Sequence, residues 1–221
     1  MLNLSFRPAW LPLLLVVVTG LFFNGLASAD EMSTEPQTLV KDASDRMLQA
    51  LKDNEDKIKE DPKFVYGLVN EILLPNFDFA KMSKLALGKN WRKANAEQRV
   101  EFIDEFRLLL VRTYSTAMLE HTNEEIVFLP FRDDLAKKRV KVKMEILQAG
   151  GPSIPMALSM YLNKEHAWKV YDVKIDGISL VTNYRSTFAS EIRKGGMKKL
   201  IESLASRNAK VKALVRQLQS M

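Results

Sequence analysis

No cysteine occurs among the 221 residues, and only two histidines do. Without a thiol there is no disulfide framework, no cysteine nucleophile, and no residue for the acylation of a lipoprotein. His121 falls at the end of a helical pattern and His166 in a turn beside Lys164 and Glu165, the setting of a solvated side chain. The sequence also lacks G-x-S-x-G, H-E-x-x-H, a Walker A loop and G-x-G-x-x-G. A Ser/His/Asp triad needs no sequence neighbours, so that route to catalysis alone stays open, and the missing signatures argue against an enzyme. The acidic pairs Asp133/Asp134 and Asp172/Asp176 have no third ligand at a telling spacing, which argues against a metal site. Long hydrophobic runs are scarce as well. WLPLLLVVVTGLFF (10–23) contains Pro12 and Gly20 and falls short of the roughly 20 residues that span a bilayer.

That run has another use. Arg7 and the terminal amine precede it, and Ala27-Ser28-Ala29 comes after it with the small-x-small pattern of a signal-peptide cleavage site. Residues 1–29 are therefore expected to be a cleaved export signal, the competing reading being an uncleaved anchor. The remaining chain is long enough for one domain with its own core. The net charge is +6, of which Arg7 leaves with the leader. In an exported chain such an excess suits anionic membrane headgroups or acidic protein surfaces better than nucleic acid.

Helical periodicity begins at Leu39, Ala43, Met47, Leu51 and Ile58, after a polar start that reads as a loose leader. Asp61-Pro62 supplies an N-cap and a first-turn proline for a helix carrying Phe64, Val65, Leu68, Val69, Ile72 and Leu73, which Pro75 ends. FDFAKMSKLALG (77–88) reads as a short helix between Asp78 and Gly88, with Phe79, Met82 and Leu85 inward. Asn95 and Gln98 form a capping box. The long helix after that box has Val100, Ile103, Phe106, Leu110, Tyr114, Ala117 and Met118 on its apolar face, and Leu109 close by.

The period then drops from 3.6 to 2. IVFLPF (126–131) is a short strand. Val140, Val142, Met144 and Ile146 alternate with charged residues, and Ile154, Met156, Leu158, Met160 and Leu162 alternate with small or polar ones. AWKVYDVKI (167–175), with Trp168, Val170 and Val173, is a further strand ending at Asp176-Gly177. Helix returns after about residue 184. Helices, then a meander, then helix make an α+β fold, with a helical part at about 37–122, a sheet at about 125–181 and C-terminal helices at about 184–206. There is no internal repeat.

Two features admit more than one use. Methionines at 82, 118, 144, 156 and 160 on the expected inward faces suit either an ordinary core or a cavity that accepts a flexible apolar ligand. The tail 207–221 is basic and amphipathic, suiting either a solvated helix extension or transient contact with an anionic membrane. Asn183, Tyr184 and Arg185 come after the last strand. Arg185 suits either a phosphate clamp or an ion pair with Asp172 or Asp176.

Two long stretches carry a resemblance: LPNFDFAKMSKLALGKNWRKANAEQRVEFIDEFRLLLVRTY (74–114) and WKVYDVKIDGISLVTNYRSTFASEIRKGGMKKLIESL (168–204). With the segments between them they resemble the MlaC family, also called toluene-tolerance proteins, from about Leu39 to Leu204. The resemblance implies a helical half on a strongly curved antiparallel sheet related to the nuclear-transport-factor-two-like fold. It implies a domain at 30–206 enclosing an apolar cavity for the acyl tails of a phospholipid, with the headgroup at the surface. It further implies a monomeric, non-enzymatic periplasmic carrier without a cofactor, working between an outer-membrane lipoprotein–porin complex and an inner-membrane ABC lipid transporter. The expected tail-contacting set, taken from the helical faces and the strand alternation, is then Val69, Ile72, Leu73, Phe79, Met82, Leu85, Phe106, Leu109, Leu110, Tyr114, Met118, Val142, Met144, Ile146, Met156, Leu158, Met160, Trp168, Val170 and Val173, with Arg185 near the mouth or in the seam. Two other readings compete: a solid-core module that bridges envelope complexes, and a phospholipase or esterase.

Overall fold

A computed structural model describes residues 35–120, 124–148 and 150–219. The leader 1–29 and His121 lie outside the described residues. Local capping chemistry decides most helix starts. Helix α1 (Glu35–Asp53) opens earlier than the polar start suggests, with Pro36 in its first turn, and the charged α2 (Glu55–Glu60) begins after Asn54. The Asp61 carboxylate accepts the Lys63 N–H at 3.0 Å and Pro62 begins a single 3₁₀ turn, which runs into α3 (Val65–Ile72). Asp78 caps α4 (Phe79–Leu87) by accepting the Lys81 N–H at 2.8 Å, and Gly88 ends it at φ 53°. The Asn95 and Gln98 side chains each accept the other's backbone N–H, at 2.8 and 3.2 Å, at the start of α5 (Ala96–Glu120).

The period-2 segments form a five-stranded antiparallel sheet in sequence order: β1 (Glu125–Phe128), β2 (Arg139–Leu147), β3 (Ile154–Leu162), β4 (Trp168–Ile175) and β5 (Ile178–Ser179). The expected strand 126–131 is shorter than its sequence suggests, because Pro130 has no N–H to donate. A register shift at Ser159/Met160 bulges and bends the sheet against β4. Asp176 and Gly177 both take positive φ, 48° and 77°, as a two-residue hairpin turn requires.

Helix α6 (Leu180–Gln219) begins four residues before the expected start, so Asn183, Tyr184 and Arg185 lie inside it. Its N-terminus is held by Asp172, which accepts from Ser179 Oγ at 2.7 Å and from the Val181 N–H at 3.2 Å, and by Ser179 Oγ, which accepts the Thr182 N–H. Gly196, at φ 78° and ψ 175°, breaks the helix into two segments.

Three apolar clusters result. The first joins α4, α5 and α6 through Met82, Leu87, Phe102, Phe106, Phe188 and Leu200. The second lies on the sheet and takes in Val40 of α1. The third packs Met47 and Leu51 of α1 against Val65 and Val69 of α3, Leu108 and Val111 of α5, and Val211 of α6. Helix α5 is therefore buried on two sides. Its expected single face was wrong at Val100, which is 61% exposed, and omitted Phe102, Leu108 and Val111, all buried. The tail also departs from a solvated extension. The helix continues past residue 206, Val211 is buried, and buried Asn208 donates to both the backbone carbonyl and the carboxylate of Glu105, at 2.8 and 2.9 Å. Lys212 pairs with the same carboxylate at 2.8 Å.

Candidate functional site

The inner face of the sheet is built in rows by the strand register. Val140, Met160 and Val170 form one row, and Val142, Leu158 and Val173 the next. Met144, Met156 and Ile175 form a third, which Phe128 and Ile178 extend to the two edges. Ile126, Ile146 and Ile154 make the fourth. Burial falls along this series. Met160 and Val170 are 0% and 1% exposed and Val142 is 0%, whereas Met156, Ile175 and the fourth row are half-buried and Ile178 is 60% exposed. Val40, Leu39, Phe77, Tyr114 and Leu180 pack over this face. The face is thus an apolar strip, sealed at the β3–β4 turn and half-open at the β2–β3 hairpin.

Its composition matters as much as its extent. Three of its residues are methionines, whose unbranched side chains adapt to irregular apolar shapes more readily than branched ones. From Leu162 to Ile154 the strand runs for roughly 26 Å. That exceeds half of the roughly 30 Å hydrocarbon core of a bilayer, the depth one acyl chain spans.

The structure gathers only part of the expected set on this strip. Val142, Met144, Leu158, Met160, Trp168, Val170 and Val173 are buried in the sheet cluster, Met156 and Tyr114 border it, and Ile146 shares the face by register. Phe79, Met82, Leu85, Phe106, Leu109 and Leu110 instead join the helical cluster of α4, α5 and α6. Val69, Ile72, Leu73 and Met118 join the third cluster. Helical periodicity marks a buried face without saying which neighbour buries it. Phe77 was missed although it packs against both the first and second clusters, and its bridge to Val170 pins the start of α4 to the sheet. The Pro75-to-Asp78 punctuation around it was the available signal.

Arg185 ion-pairs with neither Asp172 nor Asp176. Its Nε donates to the Leu85 carbonyl at 2.8 Å, and its side chain lies against Gly88, tying α6 to the end of α4. Asp172 is committed to capping α6. His166 is an exposed turn residue at φ 58°.

At the sealed end two adjoining open hollows, of about 460 and 400 Å³, share Tyr161, Asn163 and Lys164. The Tyr161 hydroxyl donates to Asp78, and Lys81 stands over the Tyr161 ring, 3.0 Å from its centroid. Burial, then the Asp78 carboxylate, push the Tyr161 phenol up to about 12. Burial also lowers the Lys81 ammonium, assisted by the Arg139 charge. Tyr114 is likewise pushed up to about 12, by burial and then by its contact with Tyr184. No three metal-binding side chains cluster among the described residues, and no helix there is long and apolar enough to cross a membrane.

Comparison with known proteins supplies the context. The intermembrane phospholipid transport system binding protein MlaC of Haemophilus influenzae is 27% identical over 206 residues, covering 92% of this chain and 94% of that one. Toluene tolerance protein ttg2D of Pseudomonas putida is 31% identical over 180 residues, 80% of this chain and 83% of that one. A solved phospholipid-binding protein from Ralstonia solanacearum, in complex with a phospholipid, superposes with a TM-score of 0.73 at 30% identity, covering 81% of this chain and 99% of its own. The family model for the MlaC protein matches residues 41–206, and the chain belongs to the MlaC family.

Proposed function

We propose that this chain is a periplasmic phospholipid carrier. It holds the acyl tails along the inner sheet face and leaves the headgroup at the surface. It passes its cargo between an outer-membrane lipoprotein–porin complex and an inner-membrane ABC lipid transporter, which maintains the lipid asymmetry of the outer membrane. The observation that carries this reading is the methionine-lined strip that changes from sealed to half-open across four rows. The phospholipid-binding relatives support it, and it calls for no cofactor and no catalytic group. The export signal expected at 1–29 gives it the compartment.

The energetics set the manner of handover. Burying acyl chains is worth about 0.8 kcal/mol per methylene, so two chains gain on the order of 20 kcal/mol gross relative to water. Release into solvent is then negligible, and cargo leaves only where a docked complex offers another apolar path. Contact with the membrane itself is transient and the carrier works as a monomer.

Solvent extraction of the purified chain and mass spectrometry of the extract test the reading. Bound phospholipid is expected, and its absence after expression in lipid-replete cells would overturn it. The full burial of Met160 and Val142 favours one rival, a solid-core module that only bridges complexes. Leu158→Glu separates the two, since a carrier stays folded and loses lipid whereas a solid core unfolds.

A further inference from the structure

The face of the sheet opposite the tail strip is set by the same register and has the opposite chemistry. Across β2, β3 and β4 one row holds Arg139, Tyr161 and Lys169, the next Lys141, Ser159 and Asp172, and the third Lys143, Ala157 and Lys174. In the second and third rows a small residue on the middle strand lies beside long cationic ones, which makes a trough with basic rails. Arg139, Lys141, Lys143 and Lys174 are exposed, and none of the four has an ion-pair partner among the described residues. The carboxylates nearby are already engaged. Asp172 caps α6, Asp133 accepts the Lys141 N–H at 2.6 Å, Glu145 accepts from Ser153 Oγ at 2.9 Å, and Asp78 accepts from the Tyr161 hydroxyl. Tyr161 closes one end of the trough, with the Lys81 ammonium over its ring. We propose that this trough is a docking surface for a protein partner and takes an extended acidic segment. It supplies the docking step of the carrier reading above, on which its purpose rests.

Dimensions select the form of that segment. Neighbouring strands lie about 4.8 Å apart, so the rails on β2 and β4 stand roughly 10 Å apart at their bases. An α-helix with its side chains is about 10–12 Å across, too wide to settle between lysines that lean over that span. An extended chain is narrower. Its alternate side chains repeat at about 6.7 Å, the same step that separates Lys141 from Lys143 along β2. Carboxylates on such a chain meet successive lysines. Apolar exposure selects protein over membrane. Val100, Leu135, Leu147 and Ile178, the exposed large apolar residues, lie outside these three rows, so the trough has nothing to insert among lipid tails. Exposed ion pairs are individually weak, and the trough therefore speeds and orients an encounter more than it tightens it. A partner held on this face leaves the tail strip on the other face uncovered.

The test titrates hexaglutamate into the purified full-length chain at about 20 mM salt, where the Debye length is roughly 20 Å, and follows backbone amide shifts. Shifts confined to β2, β3 and β4 are expected, with binding lost at about 0.2 M salt. Lys141→Glu combined with Lys143→Glu should weaken binding about tenfold, and Lys174→Glu alone about threefold. Lys93→Glu, exposed and off the sheet, should leave it unchanged, and the lipid extracted from every variant should match wild type. No binding, or binding that ignores the three sheet lysines, overturns the trough and leaves the carrier reading standing. If phosphatidylglycerol vesicles retain the chain through these lysines and hexaglutamate does not bind, the face is a membrane surface and the proposal fails. Lipid-free extracts from wild type with peptide binding intact overturn the carrier reading alone.

Discussion

The helical cluster and the sheet cluster are both apolar and both well buried, yet they are made of different side chains. In the first, the Phe188 ring meets Phe102 and Phe106 edge-on at 5.3 and 5.5 Å, and Phe102 stacks with Phe106 at 5.7 Å. Aromatic rings locked in this way have few alternative packings. In the second, valine, leucine and methionine alternate along strands, and the packing thins from one row to the next. Aliphatic side chains can slide against one another and against a foreign chain of the same chemistry. The comparison assigns stability to the aromatic cluster and accommodation to the aliphatic one.

The sharpest way to break that assignment is Phe106→Ala. Removing a fully buried aromatic is expected to cost about 3–5 kcal/mol, read from denaturant unfolding, and to abolish loading only by unfolding the chain. Glu105→Ala should come next at about 2 kcal/mol, because it removes the carboxylate acceptor of the buried Asn208 amide, which keeps only the Glu105 carbonyl, and breaks the ion pair with Lys212. Arg185→Ala removes one tie between α4 and α6, and a loss of about 1 kcal/mol with lipid load intact is expected. Met156→Ala reverses the pattern. The side chain is half-buried, so stability should change by about 1 kcal/mol or less while bound lipid measured by mass spectrometry falls. If Met156→Ala and Arg185→Ala affect loading alike, the division between the clusters fails.

Alkaline titration gives the smallest effect. Tyr114 and Tyr161 keep their protons in the folded chain to about pH 12, whereas unfolded tyrosine ionises near 10. Above pH 10 the unfolded state therefore binds fewer protons, and stability falls with rising pH until the folded phenols also ionise. Tyr114→Phe should flatten part of this slope in thermal unfolding between pH 10 and 12.

Local chemistry was legible in the sequence wherever a residue acts on its near neighbours. The Asp78 cap, the Asn95/Gln98 box and the Asp176-Gly177 turn were each read correctly from a few residues. So was the alternation that puts Met144 and Leu158 on one face. Illegible features depend on distant partners. Glu105 lies on α5 among residues that read as a polar face, and its burial results from Asn208, 103 residues away. Val100 satisfies the helical period and is 61% exposed all the same, because the period marks a face of the helix and not a neighbour to cover it. The division of the expected tail-contacting residues among three clusters has the same origin. Periodicity gives each helix an inward direction, and tertiary packing decides which interior it reaches.

The grip of Asn208 and Lys212 on Glu105 also bears on where the chain can be cut. The family match stops at residue 206, which marks a natural place to truncate. A chain ended there would lose both partners, uncover the Glu105 carboxylate that they bury, and remove Val211 from the third apolar cluster. Shortening the protein to its recognisable domain would thus remove the rivet that closes it, while a tag appended after Met221 would leave that rivet in place.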